Sequence, residues 1–162
     1  MLQALNEALA LLGKRYGLTA CTLDENHSLG LSLNNGTDCY LSFMPESEKL
    51  FFYSPLLHML PSQAEQQLGL LSALMQRHYL ERESGEGTFA IHPEEQKLYF
   101  QYGLRLVTPT ADQLEEQLAD FLGRVQQHTE TIESVLNGEK TVTTKKSIPS
   151  PQTMGLGLRQ FF

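Results

Sequence analysis

The chain has 162 residues, 41% of them hydrophobic, which suits one domain around a single core. A formal charge of −7 sets it against nucleic-acid binding, because phosphate contacts need a basic surface. No apolar run approaches the roughly 18 residues of a membrane helix, and two cysteines, Cys21 and Cys39, are too few for a disulfide scaffold, so both read as reduced core residues of a cytosolic protein.

Residues 2 to 16 place Leu2, Leu5, Leu9, Leu12 and Tyr16 at steps of three and four. This is the stripe of an amphipathic helix that Gly17 can end, and it reads as a folded element, not a signal peptide. Short alternating segments follow: Cys21 with Leu23, then Leu29, Leu31 and Leu33, then Cys39, Leu41 and Phe43. The Asn-Asn-Gly of 34–36 predicts a hairpin turn, and Leu50–Ser54 is a further strand with apolar groups on both faces. A second helix is expected over Ser62–Glu81, with Leu68, Leu71, Met75 and His78 on one side, widened by Leu70, Leu74 and Leu80. Residues 86–103 read as a hairpin around the polar turn His92–Lys97. Phe89 and Ile91 share a face on the first arm, and Leu98, Phe100 and Tyr102 on the second. A third helix begins after Pro109 with Thr110 as N-cap and carries Leu114, Leu118, Phe121, Val125, His128, Ile132 and Val135 to Gly138. The order is α-β-β-β-(β)-α-β-β-α, an α+β fold with an antiparallel sheet packed against helices. Residues 1–138 form the domain, and 139–162, lacking an amphipathic period and holding Pro149 and Pro151, form an extended tail.

The sequence offers little for catalysis. Cys39 with His58, His78 or His92 has no supporting local motif, and no two of the five histidines fall at i, i+4 on a helix, as a zinc site would favour. His78 and His128, on apolar helical faces, read as satisfied, partly buried residues, with a subunit contact as the sharper alternative. The glycines of "MGLGLRQ" lack the lysine and the following helix of a phosphate loop. What stands out is apolar surface: Tyr40, Phe51, Tyr53 and Tyr99 fall opposite the main apolar sets, on a sheet face that helices on one side would leave uncovered. Charge is uneven as well. Lys140, Lys145, Lys146 and Arg159 put +4 and no acid on residues 140–162, leaving a net −11 on residues 1–139.

The helix "LNEALALLGKRYGL", the strands "SLGLSLNN" and "CYLSFMP", the leucine-rich "QLGLLSALMQRHYL", the hairpin "GTFAIHPEEQKLYFQYGL" and the long helix "PTADQLEEQLADFLGRVQQHTETIESVL" together resemble the class I type III secretion chaperones, the Tir-chaperone-like family. The basic tail departs from that pattern, since such chaperones usually finish sooner. The resemblance implies a homodimer of the bacterial cytoplasm, without cofactor or enzymatic activity. Its partner would be the N-terminal chaperone-binding region of a secreted effector, held in extended form, with the secretion-apparatus ATPase as a further partner. It places effector pockets at Leu31, Leu33, Tyr40, Phe43, Phe51 and Tyr53, and a dimer interface at Met75, His78, Tyr79, Phe100 and Tyr102. The tail end, Leu156, Leu158, Phe161 and Phe162, is expected to be an extended strand whose side chains enter an apolar groove of its own body or of a neighbouring subunit. A sensory or regulatory domain of the same architecture, as in the YbjN-like proteins, is the other reading.

Overall fold

The computed structural model describes residues 1–79 and 84–138, and residues 158–161 as backbone. The elements run α1 (Leu2–Arg15), β1 (Ser28–Leu33), β2 (Asp38–Met44), β3 (Lys49–Leu57), α2 (Ala64–His78), β4 (Gly87–Ile91), β5 (Leu98–Arg105), α3 (Ala111–Leu136) and β6 (Leu158–Phe161). All strands join one antiparallel sheet in the order β4-β5-β3-β2-β1-β6.

The sequence dictates most of this locally. Gly17, at φ +71°, lets the chain leave α1. Gly36, at φ +85°, closes the tight β1–β2 turn, where its N–H donates to the Leu33 carbonyl. The Thr110 hydroxyl accepts from the Gln113 N–H and caps α3, while Asp112 sits in the positive first turn. The Cys21 and Leu23 segment is no strand. It is an irregular stretch whose side chains are buried under α1, with the Leu23 N–H bound to Asn6 Oδ1 at 2.9 Å. The second helix is shorter than its periodicity predicts, Ala64–His78.

All three helices pack on one face of the sheet. There Leu29, Leu31, Cys39, Leu41, Phe43, Leu50, Phe52, Leu98 and Phe100 meet Leu5, Leu9 and Leu12 of α1, Leu70 and Leu74 of α2, and the α3 stripe from Leu114 to Ile132. Phe121 anchors the middle, stacked on Phe100 at 5.7 Å and tilted on Phe52 at 5.8 Å. Arg15 and Tyr16 tie the end of α1 to the start of α3 through Asp112 and Glu115.

His128 sits in this core almost without solvent contact, its ring 4.9 Å from Phe89 and 4.7 Å from Phe100. Among the described residues neither ring nitrogen has a hydrogen-bond partner. The satisfied histidine expected at this position is therefore an unsatisfied one. Burial, then the cations of Arg77 and Arg124, push its pKa down to about 4. His78 fits the expectation better, with Nδ1 3.0 Å from the Ser84 hydroxyl.

Candidate functional site

Among the described residues no helix lies on the opposite face of the sheet, and strand alternation decides what it displays. Position by position, β2 presents Tyr40, Ser42 and Met44, β3 presents Phe51 and Tyr53, and β5 presents Tyr99, Gln101 and Gly103. The pairings Tyr40↔Tyr53, Ser42↔Phe51, Tyr53↔Gln101 and Phe51↔Gly103 make them neighbours. Tyr40 and Tyr53 stack with centroids 5.2 Å apart, and Tyr99 leans on Tyr53 at 6.0 Å. Phe51 lies over Gly103, where a methyl group would come within 2.7 Å of the ring, so the glycine makes room for it.

All of these but Gly103, with Ala90 and Ile91 from the end of β4 and His92 just after it, line a depression of about 720 Å³. Its rim carries the Lys97–Glu95 ion pair at 2.8 Å. The hydrogen bond between the two holds the Glu95 carboxyl below, and the Lys97 amine above, their ordinary ranges. Burial raises the phenols of Tyr53 and Tyr40. The site is thus a row of neutral aromatic rings with polar tips beside one compact ion pair. It suits apolar side chains presented by an extended backbone. Cys39 points to the other face, fully buried, and burial pushes its thiol far from the reactive range. Among the described residues no group of three or more His, Cys, Asp or Glu is placed to hold a metal.

The structure divides the pocket residues expected from sequence. Tyr40, Phe51 and Tyr53 come together in the depression. Leu31 and Phe43 do not, being 0% and 6% exposed beneath the helices, and Leu33 packs against the same core. The physical reason is the period of two: Leu31 shares its face with Leu29, and Phe43 with Cys39 and Leu41, so no single surface displays all six. Tyr99, Gln101 and Met44 complete the depression without belonging to that set, although the same alternation reveals them.

The expected interface set divides too. Phe100 is wholly buried and Tyr102 faces α3, its hydroxyl donating to Glu86 at 2.9 Å and lying 3.2 Å from Gln117 Oε1, so neither reaches outward as a dimer contact would. Met75 and Tyr79 are exposed, along with Leu68, which is 71% accessible. Helix α2 therefore buries Leu70 and Leu74 and shows the other half of its apolar surface to solvent.

The tail returns as β6, which pairs antiparallel with β1 in the register Gly30↔Phe161, Leu31↔Gln160, Ser32↔Arg159 and Leu33↔Leu158. Leu156 and Phe162 lie outside the described residues, as do the side-chain contacts expected of Leu158 and Phe161.

Residues 7–128 match the family model of the Tir chaperone protein (CesT) family. No curated protein sequence matches the chain. Among solved structures, a chain of the ExsC–ExsE complex superposes with a TM-score of 0.62 at 20% identity, over 84% of this chain and 96% of that one. The HopA1–SchA chaperone–effector complex gives 0.60 at 12%, over 80% and 98%. The heterodimeric ExoU–SpcU complex from the type III secretion system of Pseudomonas aeruginosa gives 0.57 at 18%, over 82% and 98%. At these identities the likeness is one of fold.

Proposed function

We propose that this chain, which belongs to the Tir chaperone protein (CesT) family, binds the N-terminal chaperone-binding region of a secreted effector in extended form and keeps it competent for type III secretion. The observation that carries this reading is the aromatic face that no described helix covers, where Tyr40, Phe51, Tyr53 and Tyr99 line one depression on a sheet of this family's fold. An extended segment lays alternate side chains into such a face while its backbone stays free to pair with a strand. The work needs neither nucleotide nor metal and takes place in the bacterial cytoplasm. Exposed Leu68 and Met75 on α2, with Tyr79 just past its end, support a homodimer formed through that helix, and the loaded dimer would pass its effector to the secretion-apparatus ATPase.

The test is to recover the full-length protein from its native cell, identify by mass spectrometry what accompanies it, and add the N-terminal segment of that protein back to the purified chain. Hydrogen exchange is expected to slow in β2, β3 and β5 around the depression. Protection confined to another surface, or turnover of a small molecule by the isolated chain, would remove the reading.

A further inference from the structure

A sheet with a bare edge offers a row of unpaired N–H and C=O groups to any extended chain. The edge formed by β1 is not bare here: residues 158–161 of the same chain pair with four of its six positions. We propose that β6 is a tethered competitor, the chain's own strand holding the β1 edge in the client-free protein and leaving when an effector strand takes that place. The proposal rests on the effector reading above and adds to it a gate built into the chain.

Three observations support it. The occupied strand, β1, pairs along its inner side with β2, whose Tyr40 and Ser42 line the aromatic depression, so edge and depression belong to one continuous surface. The tail is the basic end of an otherwise acidic chain, with +4 on residues 140–162 against −11 on the remainder, which favours its return to the body. And the contact is short. Four paired residues form a seal that a longer effector strand can displace, whereas covalent linkage to the body keeps the strand at a high local concentration. Short pairing with high local concentration is the combination expected of a gate that excludes weak strands and yields to the proper client.

Two full-length variants test it. The first carries Arg159→Pro together with Gln160→Pro. Neighbouring residues of an antiparallel strand alternate in the ladder, so one of the two prolines removes a β1-facing N–H whichever way the alternation falls. The second carries Ser32→Cys with Arg159→Cys, residues directly paired across the two strands, so that oxidation locks β6 in place and reductant releases it. The probe is a fluorescent peptide of residues 153–162.

In the double-proline chain the amides of Gly30–Leu33 are expected to exchange at least tenfold faster than in wild type, and the peptide to bind at least tenfold tighter. The oxidised cysteine pair is expected to refuse the peptide and to accept it again on reduction. Equal exchange and equal affinity in wild type and double-proline chain would overturn the proposal, as would an oxidised chain that still binds the peptide. Loss of Gly30–Leu33 protection on dilution of the wild type would overturn the intramolecular form, because the strand would then come from a second copy. An effector segment that binds wild type and double-proline chain equally would overturn the gate and leave the effector reading standing. A double-proline chain that binds the peptide tightly but no effector segment would uphold the tail contact and remove the effector reading.

Discussion

Phe52 and Tyr53 are neighbours in the chain, both aromatic, in the same strand, and they live in different solvents. Phe52 is 0% exposed beneath α3, whereas Tyr53 lies between Tyr40 and Tyr99 on the face the helices leave open. One residue of offset separates a side chain that holds the fold together from one that is free to hold something else. The two faces differ in what surrounds the rings, not in the rings themselves. On the covered side every aromatic is packed by apolar neighbours from a second layer. On the open side the rings pack sideways on one another, and Ser42, Gln101 and the Glu95–Lys97 pair supply the polar boundary.

Breaking the covered face should give the largest effect. Phe52→Ala removes a ring packed on Phe121 and is expected to cost about 3–5 kcal/mol of unfolding free energy, measured by urea denaturation. Phe100→Asp should cost more and leave little folded protein at all, because it removes the ring stacked on Phe121 and buries a carboxylate in apolar surroundings, with only the His128 ring beside it. A Phe100→Asp chain that folds normally but runs as a monomer would put Phe100 at a dimer interface and not in the core.

Acid attacks the same face at one point. His128 is neutral in the folded protein, with its pKa held down to about 4, while in the unfolded chain it titrates near the ordinary 6.5. Between those values the unfolded chain binds the extra proton, so this contribution is intact above about pH 6.5 and is lost as the pH falls towards 4. The loss amounts to about 3 kcal/mol at most. His128→Leu, which keeps the ring's place apolar and removes the proton site, should flatten the stability profile over that window. An unchanged profile would assign the acid sensitivity to other groups.

Much of this architecture is legible in the sequence, because the fold is built from strong periodicities. The α1 and α3 stripes, the Thr110 cap and the Asn-Gly turn each rest on local chemistry, and each lies where the pattern puts it. The displaced aromatics Tyr40, Phe51, Tyr53 and Tyr99 are legible for the same reason, since period two sorts a strand into faces by arithmetic. The remainder depends on information that periodicity does not carry. Cys21 and Leu23 alternate like a strand but have no neighbour to pair with. Helix α2 is apolar on two sides, and sequence alone does not say which side meets the sheet. Leu31 and Phe43 are apolar residues in the right strands, yet on the wrong face for a pocket, and membership of a strand does not distinguish the two. The strand at residues 158–161 reads from sequence as an extended segment that enters a groove, but the sequence does not name β1 as its neighbour, because β1 lies more than a hundred residues away.

The covered layer has little slack even at its margin. A methyl group at Gly13 of α1 would run into Cβ of Cys21 in the irregular segment below it. Gly13→Ala gains helix propensity, yet it should destabilise by about 1–3 kcal/mol, because the backbone carrying Cys21 has to move away. The Cys21 thiol, which burial pushes up to about 11, is expected to react faster with a thiol reagent in this variant as its cover loosens. A gain in stability from the added methyl would show that the segment yields without cost.

The open face should answer in the opposite sense, and Tyr53→Ala is the sharpest probe of it. Tyr53 stands between two rings, and no described residue forms a layer above it, so the substitution removes sideways aromatic contacts worth about 0.5–1.5 kcal/mol and creates no enclosed cavity. Thermal unfolding is therefore expected to move by only a few degrees. If the depression is where the effector's extended segment sets its apolar anchors, the same change should weaken effector binding at least tenfold, since a few buried anchors dominate such interfaces. Tyr53→Phe separates the two roles of the side chain: it keeps the stacked ring and removes the hydroxyl, and should retain most of the affinity if apolar contact is what the effector uses. Calorimetry on wild type and both variants with one effector segment decides it. Equal affinities for wild type and Tyr53→Ala would place the effector elsewhere, whereas a large stability loss with unchanged affinity would mean that this face is covered in the working protein.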